Sequence, residues 1–495
     1  MELDNPISTL LVGTLIKMLI PLFLLLFVNV IPSPPIQGRI RGQDFCRAKA
    51  FPEAMGFGTD TAGGRGGKII LVTNLNDSGD GSLRSALLAD GRRLVLFRVS
   101  GTITLEEDIR IKTPYLTIAG HTAPGEGVQI RGAQIRIETH DVIIRYLKVR
   151  SGDLQNASTE ENRDAITINN RDQAYDIVID HSTMIWGPDI GGLSFLNGAH
   201  DATVSYSIMG EGLYLSHHPE ATLASDGHSM AMNITTLDSP IPPRRITAHH
   251  NLLTTSADRN PRIIGGENID IVNNVIYNWK NSASQGNPHS LNLINNVYVR
   301  GPMTAKYSAL YAWIPTAEDG GRLQSDSVYE TGNITEGFWT KRKGPWRVYT
   351  DLLFTPYSIT QQDSPQIAYD KVLQDAGANL QVGAPTGEFR IIRDSVDQRI
   401  IDNVLNRTGV FFNGVDHDAE AGFPAISWPE LRGGAPAVDE DLDGMPDAWE
   451  QLYFHHTGRG SPERSRSDHD RDGYTDVEEY LNGTNPTRPE MCPDN

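Results

Sequence analysis

The chain has 495 residues with 39% hydrophobic and 21% charged residues, a globular composition with enough apolar material for a sizeable core. Its net charge of −19 argues against nucleic acid or anionic membrane surfaces as partners. The charge is uneven: residues 439–495 hold 15 acidic and 5 basic residues, a net of −10, which leaves −9 for everything before them. The two cysteines, Cys46 and Cys492, exclude a disulfide scaffold, a four-cysteine zinc site and a CxxC redox motif, leaving at most one bridge between the ends.

In chain order, Lys17 precedes an apolar run from Met18 to Ile31, broken only by Pro21 and Asn29 and ended by Pro32-Ser33-Pro34-Pro35. Its 14 residues suit a signal-peptide core; counted from Leu10 the stretch is 22 residues, long enough for an anchor. Residues 1–35 are therefore predicted to be an export signal or N-terminal anchor, and the protein to be secreted, periplasmic or cell-surface. Strands are predicted at Lys68–Thr73 and Arg93–Arg98, with a short helix between them at Ser82–Ala89 that can cover the open end of an elongated β structure.

From residue 100 to about 300 short β-branched runs recur: Leu116–Ile118, Val128–Ile130, Val142–Ile144, Ile177–Ile179, Ala202–Val204, Ile246–Ala248, Ile269–Ile271 and Leu291–Leu293. The clearest spacings are about 21 to 25 residues, and gaps of 35 and 44 leave room for long loops. Three short strands per repeat, with recurrent Asn, predict an all-β fold, a right-handed parallel β-helix over residues 50–335. An antiparallel sandwich would show closer spacing and no in-register Asn. Residues 336–437 read as helices (Gln366–Ala376, Ser395–Val404) and loops packed along this solenoid.

The acidic tail, residues 438–487, holds two copies of one spacing. Asp439, Asp441, Asp443, Asp447 and Glu450 occupy positions 1, 3, 5, 9 and 12 of a loop with Gly444 at position 6; Asp468, Asp470, Asp472, Asp476 and Glu479 repeat it 29 residues later. Alternate side chains then converge on one hard cation, the position-7 backbone carbonyls of Met445 and Tyr474 join them, and the last Glu can bind through both oxygens. This predicts a tandem EF-hand-like Ca²⁺ module, structural or for docking to a partner or surface.

Four further motifs carry the chemistry: Asp164-Ala-Ile-Thr-Ile168, Val178-Ile-Asp-His181, Arg259-Asn-Pro-Arg262 and Asn273-Asn-Val-Ile-Tyr-Asn-Trp279. With Gly79–Arg84 and Thr117–Pro124, they resemble the signatures of polysaccharide lyase family 1, the pectate lyases, over roughly residues 50–430; many bacterial members have a similar acidic tail. The resemblance implies a monomeric enzyme that cleaves acidic plant cell-wall polysaccharide by Ca²⁺-assisted β-elimination. It implies Asp164, Asp189 and, less directly, Asp153 as Ca²⁺ ligands, Arg259 as the base, and Arg262 and His228 as substrate contacts. Free arginine stays protonated at neutral pH, so that role calls for a cationic neighbourhood and an alkaline medium. Asp180 and His181 read as turn-fixing residues, and the pair His249-His250 as structural, since neighbours on a strand point opposite ways.

The chain departs from the family pattern at Ile264, where a second arginine is usual, at Glu220 in place of a lysine, and at Ile190 in place of an acid. Two rivals remain: a carbohydrate-binding β-helix without chemistry, and a polygalacturonase-type hydrolase, whose paired-acid motifs do not stand in this sequence.

Overall fold

A computed structural model describes residues 48–490 apart from 155–161, 238, 307, 314–327, 336–339, 344–347, 350–352, 355–356, 360 and 464. The predicted export segment 1–35 and both cysteines lie outside the described residues. Residues from Phe45 onward belong to one compact unit, so the helical segment and the acidic tail pack with the coils. No described helix is long and apolar enough to cross a membrane.

Three parallel sheets form the body: a long sheet of eleven strands, a middle sheet of nine and a groove sheet of nine. The chain visits them in rotation. One coil runs through Tyr175–Asp180 in the long sheet, Thr183–Ile185 in the middle sheet and Leu193–Leu196 in the groove sheet before returning to the long sheet at His200–Ser205. Parallel strands joined this way wind right-handed. Every predicted run from Leu116 to Leu293 lies in a strand, and each stacks on its counterpart in the next coil, as in Ile177 on Ala202 and Ala202 on Ile246. The last strands, Thr340–Lys343 and Val348–Tyr349, fall past residue 335; runs as polar as Thr-Lys-Arg-Lys carry no hydrophobic pattern that would announce them.

The interior is a column of aliphatic side chains. Ile166, Leu193, Met232 and Ile263 face inward from successive groove strands, and Ile177, Ala202, Ile246 and Ile269 face them from the long sheet. Helix α1 (Leu83–Leu88), capped by the Ser82 hydroxyl, adds Leu83, Ala86 and Leu87 to this core near its first coils, as its spacing predicts. Helices α2 (Pro365–Asp375) and α3 (Ser395–Asn406) pack Val372, Ile400 and Val404 against outward residues of the middle sheet such as Ile208 and Leu252.

The turn from the long to the middle sheet has two residues. The first is left-handed in coil after coil, with φ of 55° at Tyr146, 44° at His181 and Tyr206, 55° at His250, 58° at Asn273 and 52° at Asn295. From Ser182 onward the second is a small polar residue whose side chain accepts the backbone N–H of its counterpart in the preceding coil. Ser207 N–H donates to Asn251 Oδ1, Asn251 N–H to Asn274 Oδ1, Asn274 N–H to Asn296 Oδ1 and Asn296 N–H to Asn333 Oδ1, each at 2.9 Å. The left-handed turn also alters the reading of His249-His250: it swings both rings together, with their Nδ1 atoms 3.0 Å apart. His250 stacks on Tyr206 and meets Asp363, while His249 reaches the Met55 carbonyl.

Asn274→Ala removes the acceptor of one buried N–H and the donor to two buried carbonyls. It is expected to destabilise the fold by about 2–4 kcal/mol, read as a lower urea midpoint. A second expectation concerns acid. Burial holds His121 and His249 neutral, with pKa values lowered to about 3. The unfolded chain protonates them near pH 6.5, so their contribution is full above that pH and is lost as pH falls toward 3. Relative to the parent, His249→Asn should flatten the loss of stability between pH 6 and 4 by up to about 1.4 kcal/mol per pH unit.

Candidate active site

The connections from middle to groove sheet follow one another coil by coil along one side: 151–165, 186–192, 211–231 and 255–261. Asp164, Asp189, His228 and Arg259 come from these four connections in that order. Backbone bonds fix their relation. Asp189 N–H donates to the Arg163 carbonyl at 3.1 Å, and Ile190 N–H donates to Asp164 Oδ1, also at 3.1 Å. Ala231 and Met232 N–H both donate to the carbonyl of Arg259, whose φ of 56° turns the chain into its groove strand.

Asp164 is 3% exposed, and its hydrogen-bond donors are neutral: the hydroxyls of Thr167 and Ser194 besides Ile190 N–H. Burial, with the Asp189 charge added, raises its pKa above the usual carboxylate range. Burial acts on Asp189 in the same direction, but His228, 3.1 Å away, and the positive charge of Arg259 hold it below that range. A buried and a half-buried carboxylate on adjacent turns, the buried one with neutral partners only, form an oxygen donor set that fits a hard divalent cation.

His228 also lies 3.4 Å from Glu220 through its other ring nitrogen and stacks on His218 at 4.0 Å. Asp189, His218 and His228 thus converge on one point. Arg259 is half-buried and its Nε has no hydrogen-bond partner. Arg262 lies on the outward face of the groove strand Arg262–Ile264, 8% exposed, beside Asn233 and Gln285 of the adjoining strands.

The structure groups Asp153 differently. Fully buried, it accepts N–H bonds from Val415 and His217 and converges with His217 and His417. Consecutive residues thereby part company: His217 turns to Asp153, and His218 to His228. Asp180 meets Arg145, His181 and the Ser205 hydroxyl beside a two-residue turn, in keeping with a turn-fixing part.

Reading motifs overlooked the groove floor. Arg136, Thr167, Ser194, Asn233, Arg262 and Gln285 stack in register as an outward polar row. Its signal was present in the alternation of runs such as Ile166-Thr-Ile168 and Met232-Asn-Ile234, where the middle residue faces outward.

In the tail, Asp439, Asp441 and Asp443 converge, as do Asp468, Asp470 and Asp472. Position 9 serves alike in both loops, since Asp447 and Asp476 accept the N–H of Glu440 and His469 at 3.0 and 2.8 Å. Asp439 Oδ1, Asp470 Oδ2 and Glu479 Oε2 are buried without a partner, an arrangement that fits cation binding.

No protein-family model matches the chain. Among curated proteins, a probable pectate lyase C of Neosartorya fischeri is 30% identical over 447 residues, 88% of this chain and 94% of that protein. Its counterpart in Aspergillus fumigatus is 29% identical over 450 residues, with the same two coverages. Among solved structures, the cedar-pollen allergen jun a 1 has 18% identity and a TM-score of 0.46, covering 66% of this chain and 92% of its own. With nearly the whole length of such a relative matched at 30% identity, this chain belongs to the pectate lyase family.

Proposed function

We propose that this protein is a pectate lyase that cleaves (1,4)-α-D-galacturonan by β-elimination in the groove, with Arg259 as base and Ca²⁺ held by Asp164 and Asp189. The observation that carries this reading is the column of turns, which brings the buried carboxylate of Asp164, the half-buried one of Asp189 and an arginine to one edge of the groove sheet. Membership of the pectate lyase family supports it.

β-Elimination takes the proton from C5 of a uronate, next to its carboxylate, as the bond from C4 to the glycosidic oxygen breaks. A bound Ca²⁺ supplies positive charge to that carboxylate and makes the C5 proton more acidic. Arg259 removes the proton, a role that calls for an alkaline medium because free arginine stays protonated at neutral pH. Arg262 and His228 contact the sugar acids on either side, in positions where Ile264 and Glu220 supply no positive charge. The electron pair left at C5 forms the C4–C5 double bond, and solvent protonates the departing oxygen.

The N-terminal segment exports the protein, the chain acts as a monomer, and the two tail loops bind Ca²⁺. Asp153, whose carboxylate is occupied by backbone donors, supports the loop beside the groove instead of joining Asp164 and Asp189.

With polygalacturonate at alkaline pH, absorbance of the unsaturated uronate is expected to rise with Ca²⁺ and to stay flat with chelator. Arg259→Ala should lower the rate by ~10²–10⁴-fold. A rise that survives the substitution would keep the reaction and reject Arg259. New reducing ends without absorbance would indicate hydrolysis, and intact polymer a binding protein.

A proton-linked expectation follows from Asp164. A carboxyl raised above the ordinary range keeps its proton at pH values where other carboxylates have lost theirs. Ca²⁺ must displace that proton, so groove affinity should increase with pH across the range in which Asp164 ionises. Calorimetry in buffers of different ionisation enthalpy should detect the proton release, and Asp164→Asn should remove the groove's share of it.

A further inference from the structure

The two tail loops have the same spacing but do not offer the same ligands. In the first loop both oxygens of the position-12 Glu450 are engaged, accepting N–H bonds from Arg459 at 2.6 Å and Gly458 at 3.2 Å. Asp439 is also paired with Arg98. In the second loop the position-12 Glu479 is fully buried, and its Oε2 has no partner. Eleven residues further on, outside the loop pattern, Glu490 converges with Asp472 and Glu479. Its backbone N–H donates to Asp472 Oδ2 at 3.0 Å, while its own Oε2 is buried and unpartnered. Unpartnered carboxylate oxygens facing one another in a buried place need a proton or a cation to neutralise them, and a cation answers all of them at once.

The second loop also leads into the tail's main contact with the solenoid. Helix α5 (Asp476–Asn482) begins at its position 9, as helix α4 (Asp447–Phe454) does in the first loop. Val477, Tyr480 and Leu481 of α5 pack with Met445 against Ile69, Leu94, Leu96 and Ala119, which face outward from the first three long-sheet strands. Arg65 donates through Nε to both oxygens of Glu478 at 2.9 Å. His121 Nε2 lies 3.1 Å from the Leu481 carbonyl, and Arg145 donates to Asn482 at 2.9 Å. The segment before the loop covers the open edge of the long sheet: Ile69 N–H donates to the Pro462 carbonyl at 2.8 Å, and Ser465 N–H to the Gly67 carbonyl at 3.0 Å.

We infer that the second loop is the tail's principal Ca²⁺ site, that Glu490 is a ligand in it beside Asp468, Asp470, Asp472 and Glu479, and that this ion clamps the tail onto the first coils of the solenoid. Five carboxylates with the Tyr474 carbonyl supply the six or more oxygens Ca²⁺ prefers. The apolar face that a free docking module would present to a partner is spent within the chain. The inference rests on the proposed calcium loops and not on the lyase chemistry.

The test uses the full chain with Asp164→Asn, which removes the groove site from the count. Calcium titration calorimetry should find a tail site that weakens about tenfold with Glu490→Gln and more with Glu479→Gln. Asp441→Asn in the first loop should leave it nearly unchanged. Hydrogen exchange should then show the amides of residues 66–72, Ile69 above all, losing protection in chelator and regaining it with Ca²⁺. Glu479→Gln should leave that segment unprotected at a Ca²⁺ concentration that saturates the parent. Binding indifferent to Glu479 and Glu490, binding lost through Asp441→Asn, or exchange at residues 66–72 indifferent to Ca²⁺ would each overturn the inference. A protein that passes these measurements and fails to cleave polygalacturonate would reject only the lyase reading.

Discussion

In a parallel solenoid each coil sits on the last in register, about 4.8 Å away, so whatever one turn carries is repeated or answered by the turn above it. That constraint gives the molecule both its stability and its chemical problem. Apolar residues in register build the continuous core, as Ile177, Ala202, Ile246 and Ile269 do. Polar residues must find partners along the same column. The Ser and Asn ladder is the neutral solution, since an amide both accepts from the coil before it and donates to backbone carbonyls, leaving no buried backbone group unpaired.

Carboxylates have no such solution among themselves. Asp164 and Asp189 stand on adjacent turns, and stacking alone would make them repel. The chain answers with charge from the next two connections, His228 and Arg259, but these act on Asp189 and leave Asp164 among neutral donors. A site that stays short of positive charge after its own residues are counted is suited to bind a cation and, through it, an anionic sugar. The overall −19 makes this local deficit more telling, because a polyanionic substrate meets no general attraction from the protein.

Much of this was legible in the sequence, because a solenoid writes its geometry as period. The β-branched runs marked the strands, the gaps of 35 and 44 residues marked the long connections, and the recurrent Asn marked the ladder. Capping and helical spacing located α1, α2 and α3 to within a residue or two. What escaped depends on the path of connections that have no period. His217 and His218 are neighbours in sequence yet serve different clusters, and Asp153 joins the first while Asp189 joins the second. The groove floor was overlooked for another reason: in a short strand a single outward polar residue looks like an interruption until the register sets six of them side by side.

The long sheet poses the complementary question of how a stack ends. The strand Arg93–Phe97 is buried throughout, with Val95 and Phe97 facing the core and Leu94 and Leu96 facing out. A strand apolar on both faces must be covered on both, and an unpaired first strand invites pairing with another molecule. Here the tail supplies both covers, the apolar face of α5 and the backbone of Pro462 and Ser465. Those covers come from the most acidic part of the chain, whose own carboxylates oppose its folding. Holding the edge closed therefore requires something to neutralise the tail. Arg65 and Arg98 do so for one carboxylate each, Glu478 and Asp439, and the remaining cluster of buried acids calls for a cation. The groove and the edge, at different places on the solenoid, thus meet the same physical demand by the same means.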